Sequence, residues 1–440
     1  MMNDWNSVHV QEALKYHSRG NYPGKISVLP TKSLSNQYDL SLAYSPGVAY
    51  PCLEIVKNHD SIYDYTSKGN SVAVISNGTA VLGLGNIGPL AAKPVMEGKA
   101  ILFKRFADID AINLEINTEN IEEFCDTVRA LGTNWGGINL EDIRSPDCFI
   151  IEKTLNDIID IPVFHDDQHG TAVVVAASLK NALDIVGKKL EHVRIIMNGT
   201  GAAGIACLEI LKFMGANHIV SCDKQGVIYK GRIADMNIWK EQYAIDSSDR
   251  TLLDAIKGAD VFIGLSTKDV LNEQMLKSMN KDPIIFALAN PDPEIRPEIV
   301  KQIRPDAIIT TGRSDYNNQV NNLIGFPYIF RGALDVRATT INNDMKIAAV
   351  EAIAQLAREP VPCEMSAAYG GRRMSYGPEY IIPTPFDPRL IAVVSSAVAK
   401  AAITSGVARK TINNWYQYET QLHSRITRVL NILKILSLHI

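Results

Sequence analysis

The sequence predicts an α/β fold whose larger part is a doubly wound parallel sheet. From residue 161 onward, short runs of branched apolar residues alternate with longer stretches of helical spacing, as in sheets whose strands are joined by crossover helices. A glycine-rich turn, Gly199-Thr200-Gly201-Ala202-Ala203-Gly204, follows one apolar run and opens an apolar helix. That order is typical of a Rossmann-like domain. We therefore expect an N-terminal domain over 1–160, a Rossmann-like domain over 161–408 and a tail over 409–440.

The N-terminal domain is expected to contain strands and one amphipathic helix. Ser71–Ile75 and Thr79–Leu84 are β-type apolar runs, and the Asn77-Gly78 dipeptide between them indicates a hairpin. Ala111–Ile116 predicts a further strand. Ile121–Leu131 has apolar residues at helical spacing and predicts a helix.

In the second domain, helical and strand patterns alternate regularly. Helices are expected at Thr171–Ile185 and Gly204–Met214. Strands are expected at Val193–Met197, Ile219–Cys222, Ala259–Gly264, Pro283–Leu288 and Ala307–Thr311. This alternation predicts the doubly wound parallel sheet.

Composition is ordinary for a globular protein and argues against several classes. The chain has 440 residues, 46% hydrophobic and 21% charged, with a net charge of −4, so it lacks the basic surface of a nucleic-acid-binding protein. No apolar run approaches the ~20 residues of a membrane span, and the N-terminus lacks the pattern of a signal peptide. The six cysteines are widely spread without a CxxC pair, which favours reduced thiols and a cytoplasmic location.

The glycine pattern occurs twice, at Gly83 to Gly88 and at Gly199 to Gly204. Both copies follow an apolar run, and both have an aspartate roughly 20 residues further on, as expected of a ribose-binding acid. The second copy continues into an uninterrupted helix, whose N-terminal amides suit a pyrophosphate. The first is followed by Pro89 and Pro94, which would fragment a helix. We therefore assign the cofactor to the second copy and interpret the first as a structural or substrate-side turn.

Two carboxylate pairs, Glu141-Asp142 and Asp166-Asp167, precede the second glycine turn. Clustered carboxylates favour a hard cation such as Mg²⁺ or Mn²⁺, although each pair alone could equally be a solvated loop. Because neighbouring side chains point in different directions, we expect three ligands and one supporting carboxylate rather than four ligands. His165 and His169 suggest zinc as an alternative, but the nearby acids are oxygen donors and no cysteine is close.

Five ordered motifs resemble malic enzymes, most closely the bacterial subgroup with a short N-terminal region. They are Tyr44-Ser45-Pro46-Gly47-Val48-Ala49, Val81-Leu82-Gly83-Leu84-Gly85-Asn86, Glu97-Gly98-Lys99, the Glu141-Asp142 loop and the His165–Thr171 segment. The resemblance implies an N-terminal substrate and metal domain before the Rossmann-like domain. It also implies metal-dependent oxidative decarboxylation of L-malate to pyruvate and CO₂ with reduction of NAD(P), and decarboxylation of oxaloacetate as a related activity. The likeness ends near Val407, without the phosphotransacetylase-like domain often fused to this module.

The resemblance assigns roles to individual residues. The family's metal ligands fall on Glu141, Asp142 and Asp167. Its catalytic residues fall on Lys99, which removes the hydroxyl proton of malate, on Tyr44, which protonates the enolate, and on Asp166. Lys99 can act as a base only when neutral, so we expect its pKa to be lowered from the usual value of ~10.4.

Substrate and cofactor positions are also implied. Asn290 and Asn321 match positions that bind malate, and Asn290 is expected to border the cofactor as well. Ala80 stands where larger family members have an arginine that pairs with a substrate carboxylate. The expected cofactor-binding residues are Gly199, Gly201, Ala202, Ala203, Gly204, Asp223, Lys224 and Asn290.

The choice between NAD and NADP is expected to depend on the charged residues that follow the predicted strand Ile219–Cys222. Asp223 would bond a ribose 2′-hydroxyl and repel a 2′-phosphate, which favours NAD. Lys224, with Arg232 as another candidate, could neutralise that phosphate, which favours NADP. Because the subgroup it resembles mostly uses NADP, we expect NADP, with NAD as the alternative.

Other possibilities remain open. A metal-dependent oxaloacetate decarboxylase without a redox role conflicts with the intact glycine turn, and a cofactor-sensing protein without activity conflicts with the retained catalytic residues. A homodimer or higher homo-oligomer is expected. The apolar stretch Val429–Ile440 is too short to span a bilayer; it could dock on the enzyme, mediate self-association or reflect a truncated reading frame.

Overall fold

Two sheets organise the protein in a computed structural model that describes residues 7–19, 23–81, 83–363, 365, 369–371 and 374–437. In spatial order, the first sheet contains β2 (Asp110–Glu115), β1 (Ser71–Ser76), β3 (Gly137–Leu140) and β4 (Val163–His165). The second contains β10 (Ile308–Thr311), β9 (Ile284–Ala287), β8 (Val261–Gly264), β5 (Arg194–Asn198), β6 (His218–Asp223) and β7 (Gly226–Val227).

Helices cover the faces and ends of these sheets. Among the described residues they are α1 (Ser7–Ser18), α2 (Gln37–Ala43), α3 (Ala49–Lys57), α4 (Ile62–Tyr65), α5 (Gly88–Ala107), α6 (Ile121–Gly132), α7 (Asp147–Ile158), α8 (Thr171–Val186), α9 (Ala202–Phe213), α10 (Ile238–Glu241), α11 (Leu252–Ala255), α12 (Glu273–Ser278), α13 (Pro297–Ile303), α14 (Phe326–Asp335), α15 (Asn343–Arg358), α16 (Leu390–Thr404) and α17 (Trp415–Ser437).

The predicted hairpin after β1 is wrong. Strand β1 pairs in parallel with β2 on one side and β3 on the other, so neither edge is free for a returning strand. The Asn77-Gly78 turn exists, but the Gly78 carbonyl accepts hydrogen bonds from the amides of Ile87 and Gly88, both at 3.1 Å. Residues 79–87 therefore form a loop instead of a strand; Leu82 lies outside the described residues.

The prediction that two prolines fragment the helix after Gly88 is also wrong. Helix α5 runs without a break over 20 residues. Pro89 is tolerated because it lies in the first turn, where its missing amide would have had no helical partner. Pro94 lies inside the helix, which buries Met96, Phe103 and other apolar side chains against the first sheet. This packing outweighs the lost hydrogen bond.

The second sheet confirms the predicted doubly wound architecture. Strands β5, β6, β8, β9 and β10 are parallel, and only the short β7 is antiparallel to its neighbour β6. The chain continues from β5 to β6 on one side and later adds β8, β9 and β10 on the other. The switch point between β5 and β8 leaves a crevice at the carboxyl ends of these strands, where ligands bind in such sheets.

Two packing arrangements differ from a simple division near residue 160. Strand β4 lies beyond that residue and belongs to the first sheet. Helix α14 follows the second sheet in sequence, yet it packs against α5, where Phe103 meets Phe326 and Phe330 edge to face. The C-terminal helices therefore return to the first sheet.

The helix of the tail packs on the rest of the chain, although Leu430, Ile432, Leu433 and Ile435 of its apolar stretch remain exposed. Helix α17 packs against α5 and α16 and buries Leu422 and Val429, each 1% exposed. Arg425 and Arg428 form ion pairs with the buried Asp108 at the end of α5. Within the described ranges, no helix combines the length and apolarity that crossing a membrane requires.

Shortening one buried side chain should weaken this docking. We expect Leu422→Ala to lower the free energy of unfolding by about 2–5 kcal/mol, since the substitution leaves a cavity under α17. Leu430→Ala, on the same helix at a position 43% exposed, should change it by less than about 1 kcal/mol. Denaturant unfolding followed by circular dichroism measures both values; equal effects would contradict the docked arrangement.

Candidate active site

Two neighbouring parallel strands bring the carboxylate pairs together. Strands β3 and β4 are paired so that Leu140 lies beside His165, and both strands end there. Carboxyl ends of parallel strands lie at the same edge of a sheet. Glu141-Asp142 and Asp166-Asp167 therefore emerge side by side, although 25 residues separate them in sequence.

The expected irregular backbone at the first pair is present. Asp142 adopts a left-handed conformation with φ of 53°, which aspartate tolerates better than most residues. This turns its side chain to the same side as that of Glu141. Asp142 also donates its backbone N–H to Asp167 Oδ2 at 2.8 Å. Glu141, Asp142 and Asp167 each offer an oxygen within 4.8 Å of the others, which is the three-carboxylate arrangement that the sequence predicts.

Lys99 lies against this cluster from helix α5. Its side chain is 7% exposed, and Nζ donates to Glu141 Oε1 at 2.9 Å and, through a very short contact, to Asp166 Oδ2. The ring of Phe326 lies 4.0 Å from Nζ. Asp166 thus pairs with the lysine while the other three carboxylates face one another.

The pKa of Lys99 is raised by its neighbours, contrary to the expectation that it is lowered. Burial lowers the pKa of Lys99, but the charges of Asp166 and Glu141 outweigh burial and raise it above the ordinary value. Lys99 is therefore an ammonium ion here. The sequence could not show this balance, because the distances from lysine to carboxylates arise only in the folded chain.

The pKa values of the carboxylates are also raised, which means that their charged forms are disfavoured. Burial and the neighbouring acids raise the pKa of Asp142 to about 9. Burial raises the pKa of Glu141 to about 7 and that of Asp166 to about 6, against the lowering effect of Lys99. Oδ2 of Asp142 and Oδ1 of Asp166 are buried without a hydrogen-bond partner. Crowded hard oxygens of this kind fit a divalent cation, which would supply the missing positive charge.

A buried glutamate holds the short helical turn, Asp166–Gly170, that carries Asp166 and Asp167. Glu152 on α7 accepts the backbone N–H of His165 at 3.0 Å and contacts His169 Nε2 at 2.9 Å. Burial raises the pKa of Glu152, but His169 and Lys346 outweigh it and hold the pKa at about 2. Sequence reasoning missed Glu152, because nothing in its helical neighbourhood distinguishes it from a surface acid.

Sequence reasoning also missed two asparagines that hold carboxylates of the cluster in place. Asn139 Nδ2 donates to Glu141 Oε2 at 2.8 Å, and Asn322 Nδ2 makes a very short contact with Asp166 Oδ2. Asn139 lies directly before the acidic pair, so its position was a usable signal. Asn322 lies beside the predicted Asn321, whose own Oδ1 accepts the backbone N–H of Leu323 at 2.9 Å.

The histidines do not support the zinc alternative. Burial lowers the pKa of His165 to about 4. His169 is engaged at both ring nitrogens, by Glu152 at 2.9 Å and by Lys346 at 3.2 Å. In the part of the chain that the structure describes, the group suited to a metal contains carboxylates alone.

One of the two residues predicted to bind substrate, Asn290, lies near the first glycine turn. Asn290 follows β9, and its carbonyl and Pro291 lie just under 4 Å from where a side chain on Gly83 would begin. The first glycine turn therefore lies beside this loop, consistent with a substrate-side role. Ala80 donates its backbone N–H to the carbonyl of Asp142 at 2.9 Å.

Tyr44 does not join the cluster within its own chain, contrary to the expectation. It ends α2, is 72% exposed, and its phenol bonds to no residue that the structure describes. The physical reason is that neither α2 nor α3 buries any residue against the rest of the chain.

The second glycine turn has the geometry of a dinucleotide site. Gly199 adopts φ of +109°, and a Cβ there would lie 2.3 Å from the Leu265 carbonyl oxygen. A Cβ on Gly204 would lie 1.9 Å from the Gly199 oxygen, so glycine is required at both ends of the turn. Gly201, Ala202 and Ala203 then start α9, whose amides face the crevice at the end of β5.

Asp223 at the end of β6 is not the lone carboxylate that the sequence suggested. Arg232 Nη1 donates to Oδ1 at 2.9 Å, and Lys240 Nζ donates to Oδ2 at 2.8 Å. Burial raises the pKa of Asp223, but these two cations outweigh it and hold the pKa below its usual range. Lys224 points outward; its side chain is 75% exposed and lies 3.8 Å from Asp235.

Comparison with known proteins decides the family. The model "Malic enzyme, N-terminal domain" matches residues 23–156, and the model "Malic enzyme, NAD binding domain" matches residues 168–366. The chain belongs to the malic enzyme family. The Rossmann-like second domain and the recognition of a malic enzyme from sequence are thereby confirmed.

Individual malic enzymes resemble the whole chain. The crystal structure of malic enzyme from Pyrococcus horikoshii Ot3 is 42% identical and superposes with a TM-score of 0.86, covering 97% of this chain and 96% of that one. Two proteins of Rhizobium meliloti (strain 1021) are also similar: the "NADP-dependent malic enzyme" is 60% identical over 97% of this chain, and the "NAD-dependent malic enzyme" is 53% identical over 96%. The chain spans 56% and 55% of the lengths of these two relatives.

The carboxylate cluster should make the metal-free protein sensitive to pH. Acids whose pKa is higher in the folded than in the unfolded chain stabilise the fold at low pH, and this contribution is lost as the pH rises through the folded values of about 6 to 9. We therefore expect Asp142→Asn to raise the melting temperature at pH 8 by roughly 3 °C or more without metal, and to change it little at pH 5.

The same variant should respond differently to metal. Mn²⁺ should raise the melting temperature of the unmodified protein and leave that of Asp142→Asn nearly unchanged, because one ligand charge is missing. Asparagine also tolerates the left-handed backbone at this position, so the fold is retained. Differential scanning fluorimetry measures both effects. Equal stabilisation of the two proteins by Mn²⁺ would remove Asp142 from the metal site.

Proposed function

We propose that this chain catalyses the divalent-metal-dependent oxidative decarboxylation of L-malate to pyruvate and CO₂, with reduction of NAD(P). The observation that carries the proposal is the contact of Lys99 with the cluster of Glu141, Asp142, Asp166 and Asp167, beside a crevice with a dinucleotide-binding turn. The names of the relatives support the same activity. A decarboxylase without redox chemistry would have no use for that turn.

The cation is proposed to be held by Glu141, Asp142 and Asp167. When bound, Mg²⁺ or Mn²⁺ would polarise the C2 oxygen of the substrate and stabilise the charge that develops there as CO₂ leaves. Asn139 and the backbone N–H of Asp142 hold two of the three carboxylates in place. This pre-organisation keeps the ligand oxygens together although like charges repel.

Lys99 and Asp166 are proposed to act as one proton-transfer pair. A bound cation would lower the pKa of Lys99, and Asp166, whose Oδ2 accepts a hydrogen bond from Nζ, would then be placed to take the proton of the ammonium group. The resulting neutral amine can accept the proton of the malate hydroxyl while hydride leaves C2 for the nicotinamide. Asn322 bonds the same oxygen of Asp166 and fixes the carboxylate in this position.

Amide side chains are proposed to bind the substrate carboxylates in place of the arginine that Ala80 replaces. The carbonyl oxygen of Asn321 is used by Leu323, so the NH₂ group of Asn321 remains to donate to malate. Asn290 lies on the loop that meets the first glycine turn. Both amides can bond a carboxylate without adding a charge to an already crowded site.

The preferred dinucleotide is proposed to be NADP. Arg232 and Lys240 neutralise Asp223, so a 2′-phosphate at the end of β6 would meet a balanced group instead of a bare anion. The exposed ammonium of Lys224, which lies 3.8 Å from Asp235, can reach outward to a phosphate. The relative with the higher identity of the two from Rhizobium meliloti is named NADP-dependent.

Activity should depend on the cation and on Lys99. Pyruvate formation from L-malate with Mn²⁺ and either dinucleotide should stop in excess chelator. Asp167→Asn should abolish it with the fold intact, and Lys99→Ala should lower kcat by roughly 10²–10⁴-fold, the usual contribution of a positioned base. Circular dichroism controls for folding. Full turnover in chelator, or a wild-type rate in Lys99→Ala, would contradict the mechanism.

Cofactor preference should follow the charges around Asp223. We expect activity with both dinucleotides and a modest preference for NADP. Asp223→Ser should increase the ratio of kcat/KM for NADP over NAD by on the order of tenfold, because it frees Arg232 and Lys240 for the phosphate. Lys224→Ala should lower that ratio by a few-fold, as expected of one exposed charge. A strong preference for NAD that Lys224→Ala leaves unchanged would show that Asp223 dominates.

A further inference from the structure

A buried carboxylate outside the metal cluster joins two loops of the second sheet. Glu294 is 0% exposed, and its Oε1 accepts hydrogen bonds from the backbone N–H of Ser266 at 2.9 Å and from Ser266 Oγ at 3.1 Å. Its Oε2 accepts the backbone N–H of Ala289 at 2.9 Å. Ser266 follows β8 and Ala289 follows β9, so one side chain is bonded to both loops. No step of the proposed reaction uses this acid.

The two loops leave the sheet side by side, at the mouth of the crevice. Gly264 ends β8 and is paired with Asn198, the last residue of β5, and with Ala287, the last residue of β9. The glycine turn follows Asn198, and the loop that contains Asn290 follows Ala287. Carboxyl ends of neighbouring parallel strands form the ligand-binding edge of such a sheet. Glu294 therefore bonds the loop beside the dinucleotide turn to the loop of a proposed malate ligand.

On the dinucleotide side, the bonded loop packs directly against the glycine turn. Asn198 Nδ2 donates to Ser266 Oγ at 2.8 Å, and the backbone N–H of Leu265 donates to the Asn198 carbonyl at 2.8 Å. The Leu265 carbonyl oxygen lies 2.3 Å from where a side chain on Gly199 would begin. A shift of Ser266 would therefore move the wall against which the glycine turn is built.

On the substrate side, the bonded residue directly precedes Asn290. The Nδ2 atom of Asn290 donates to the Leu288 carbonyl at 3.3 Å. A Cβ on Gly312, which follows β10, would lie 2.8 Å from the same nitrogen. Because the Asn290 amide is confined in this way, its position follows that of its backbone. The bond from Ala289 to Glu294 holds that backbone in place.

A carboxylate is suited to this position because it only accepts hydrogen bonds. Three neutral donors from two loops converge on its two oxygens. A Cβ on Gly264 would lie 2.5 Å from Glu294 Cδ, so the carboxyl group packs directly on the end of β8. Burial raises the pKa of Glu294 above its usual value, against the lowering effect of these donors. Keeping an acid here costs stability, as is common at functional sites.

We propose that Glu294 is a positioning residue that sets the spacing between the dinucleotide turn and the Asn290 loop. This role rests on the proposed function. Hydride passes directly from C2 of malate to the nicotinamide, so the two bound molecules must be held in a fixed relation, and a misplacement of about 1 Å can cost roughly 10²-fold in rate. Glu294 acts on both ligands through Ser266 and Ala289 and is not itself a catalytic residue.

Glu294→Gln tests this spacing by replacing one acceptor oxygen with an NH₂ group. That group would face a backbone N–H of Ser266 or Ala289, so at least one loop must shift. Fluorescence of NADPH and of NADH measures dinucleotide binding, and a thermal-shift titration of L-malate with Mn²⁺ and no dinucleotide measures substrate binding without turnover. We expect the affinity for the dinucleotide, for malate or for both to fall roughly tenfold. Unchanged affinity for both ligands would overturn the role of Glu294.

Ser266→Ala separates the two sides of the carboxylate. It removes the hydroxyl that joins Asn198 to Glu294 and leaves the bond from Ala289 in place. We expect dinucleotide binding about threefold to tenfold weaker, with malate binding changed less than about twofold. This smaller change tests the role of Glu294 even if Glu294→Gln does not fold. Equal weakening of both ligands, or of neither, would overturn it.

Glu298→Gln is the matched control. Glu298 lies on the following helix α13, is exposed, and accepts a hydrogen bond from the Tyr316 hydroxyl at 3.0 Å. We expect its affinity for both ligands to equal that of the unmodified protein. In all three variants, Mn²⁺ alone should raise the melting temperature as much as in the unmodified protein, because the carboxylate cluster belongs to the first sheet. Loss of this Mn²⁺ response in Glu294→Gln and in Ser266→Ala would indicate general disruption and overturn a positioning role.

Binding and turnover together separate this inference from the proposed function. If malate and the dinucleotide bind but no pyruvate forms, the proposed function fails, and the role of Glu294 stands if the variants show the expected pattern. If pyruvate forms and every variant binds both ligands like the unmodified protein, the function stands and the role of Glu294 is overturned. Binding of neither ligand by the unmodified protein would overturn both.

Discussion

The burial of Lys99 among four carboxylates is the interaction on which the rest of the site depends. Three acids that face one another would separate or take up protons without a neutralising charge. Lys99 supplies one such charge from α5, and the oxygens of Glu141, Asp142 and Asp167 lie close enough together to share the charge of a metal ion. The raised pKa values of the acids and the raised pKa of the lysine are two consequences of the same crowding.

Holding this arrangement requires rigid support on every side. The parallel pairing of β3 and β4 fixes the two acidic loops, and Glu152 ties the second loop to α7. The continuous packing of α5 between the first sheet and α14 fixes the lysine. Because Arg425 and Arg428 of α17 pair with Asp108 at the end of α5, the C-terminal helix also helps to hold the helix that carries Lys99.

Charges are also balanced in the crevice that is proposed to bind the dinucleotide. Asp223 would be a simple marker for NAD if it stood alone, but its pairing with Arg232 and Lys240 makes the end of β6 nearly neutral. Under the proposed function, we expect the choice between the two dinucleotides to depend on small changes around that pair. This agrees with the similarity of the chain to malic enzymes named for either cofactor.

The sequence by itself determined the doubly wound sheet, and it located the two glycine turns and the two acidic pairs from which the candidate site is built. These features are local: apolar periodicity, glycine spacing and adjacent carboxylates can be read over a few residues. The hairpin after β1 and the broken helix after Gly88 were wrong, because both strand edges are occupied and because core packing outweighs Pro94.

Only the tertiary structure decided the charge state of Lys99, the ion-pair partners of Asp223 and the exposure of Tyr44. The pKa of Lys99 depends on Asp166 and Glu141, which lie 67 and 42 residues away in sequence. The neutralisation of Asp223 depends on Lys240 reaching back 17 residues, and the exposure of Tyr44 depends on helices that find no surface on their own chain. Electrostatic balance and burial are sums over residues that are distant in sequence, so no local pattern determines them.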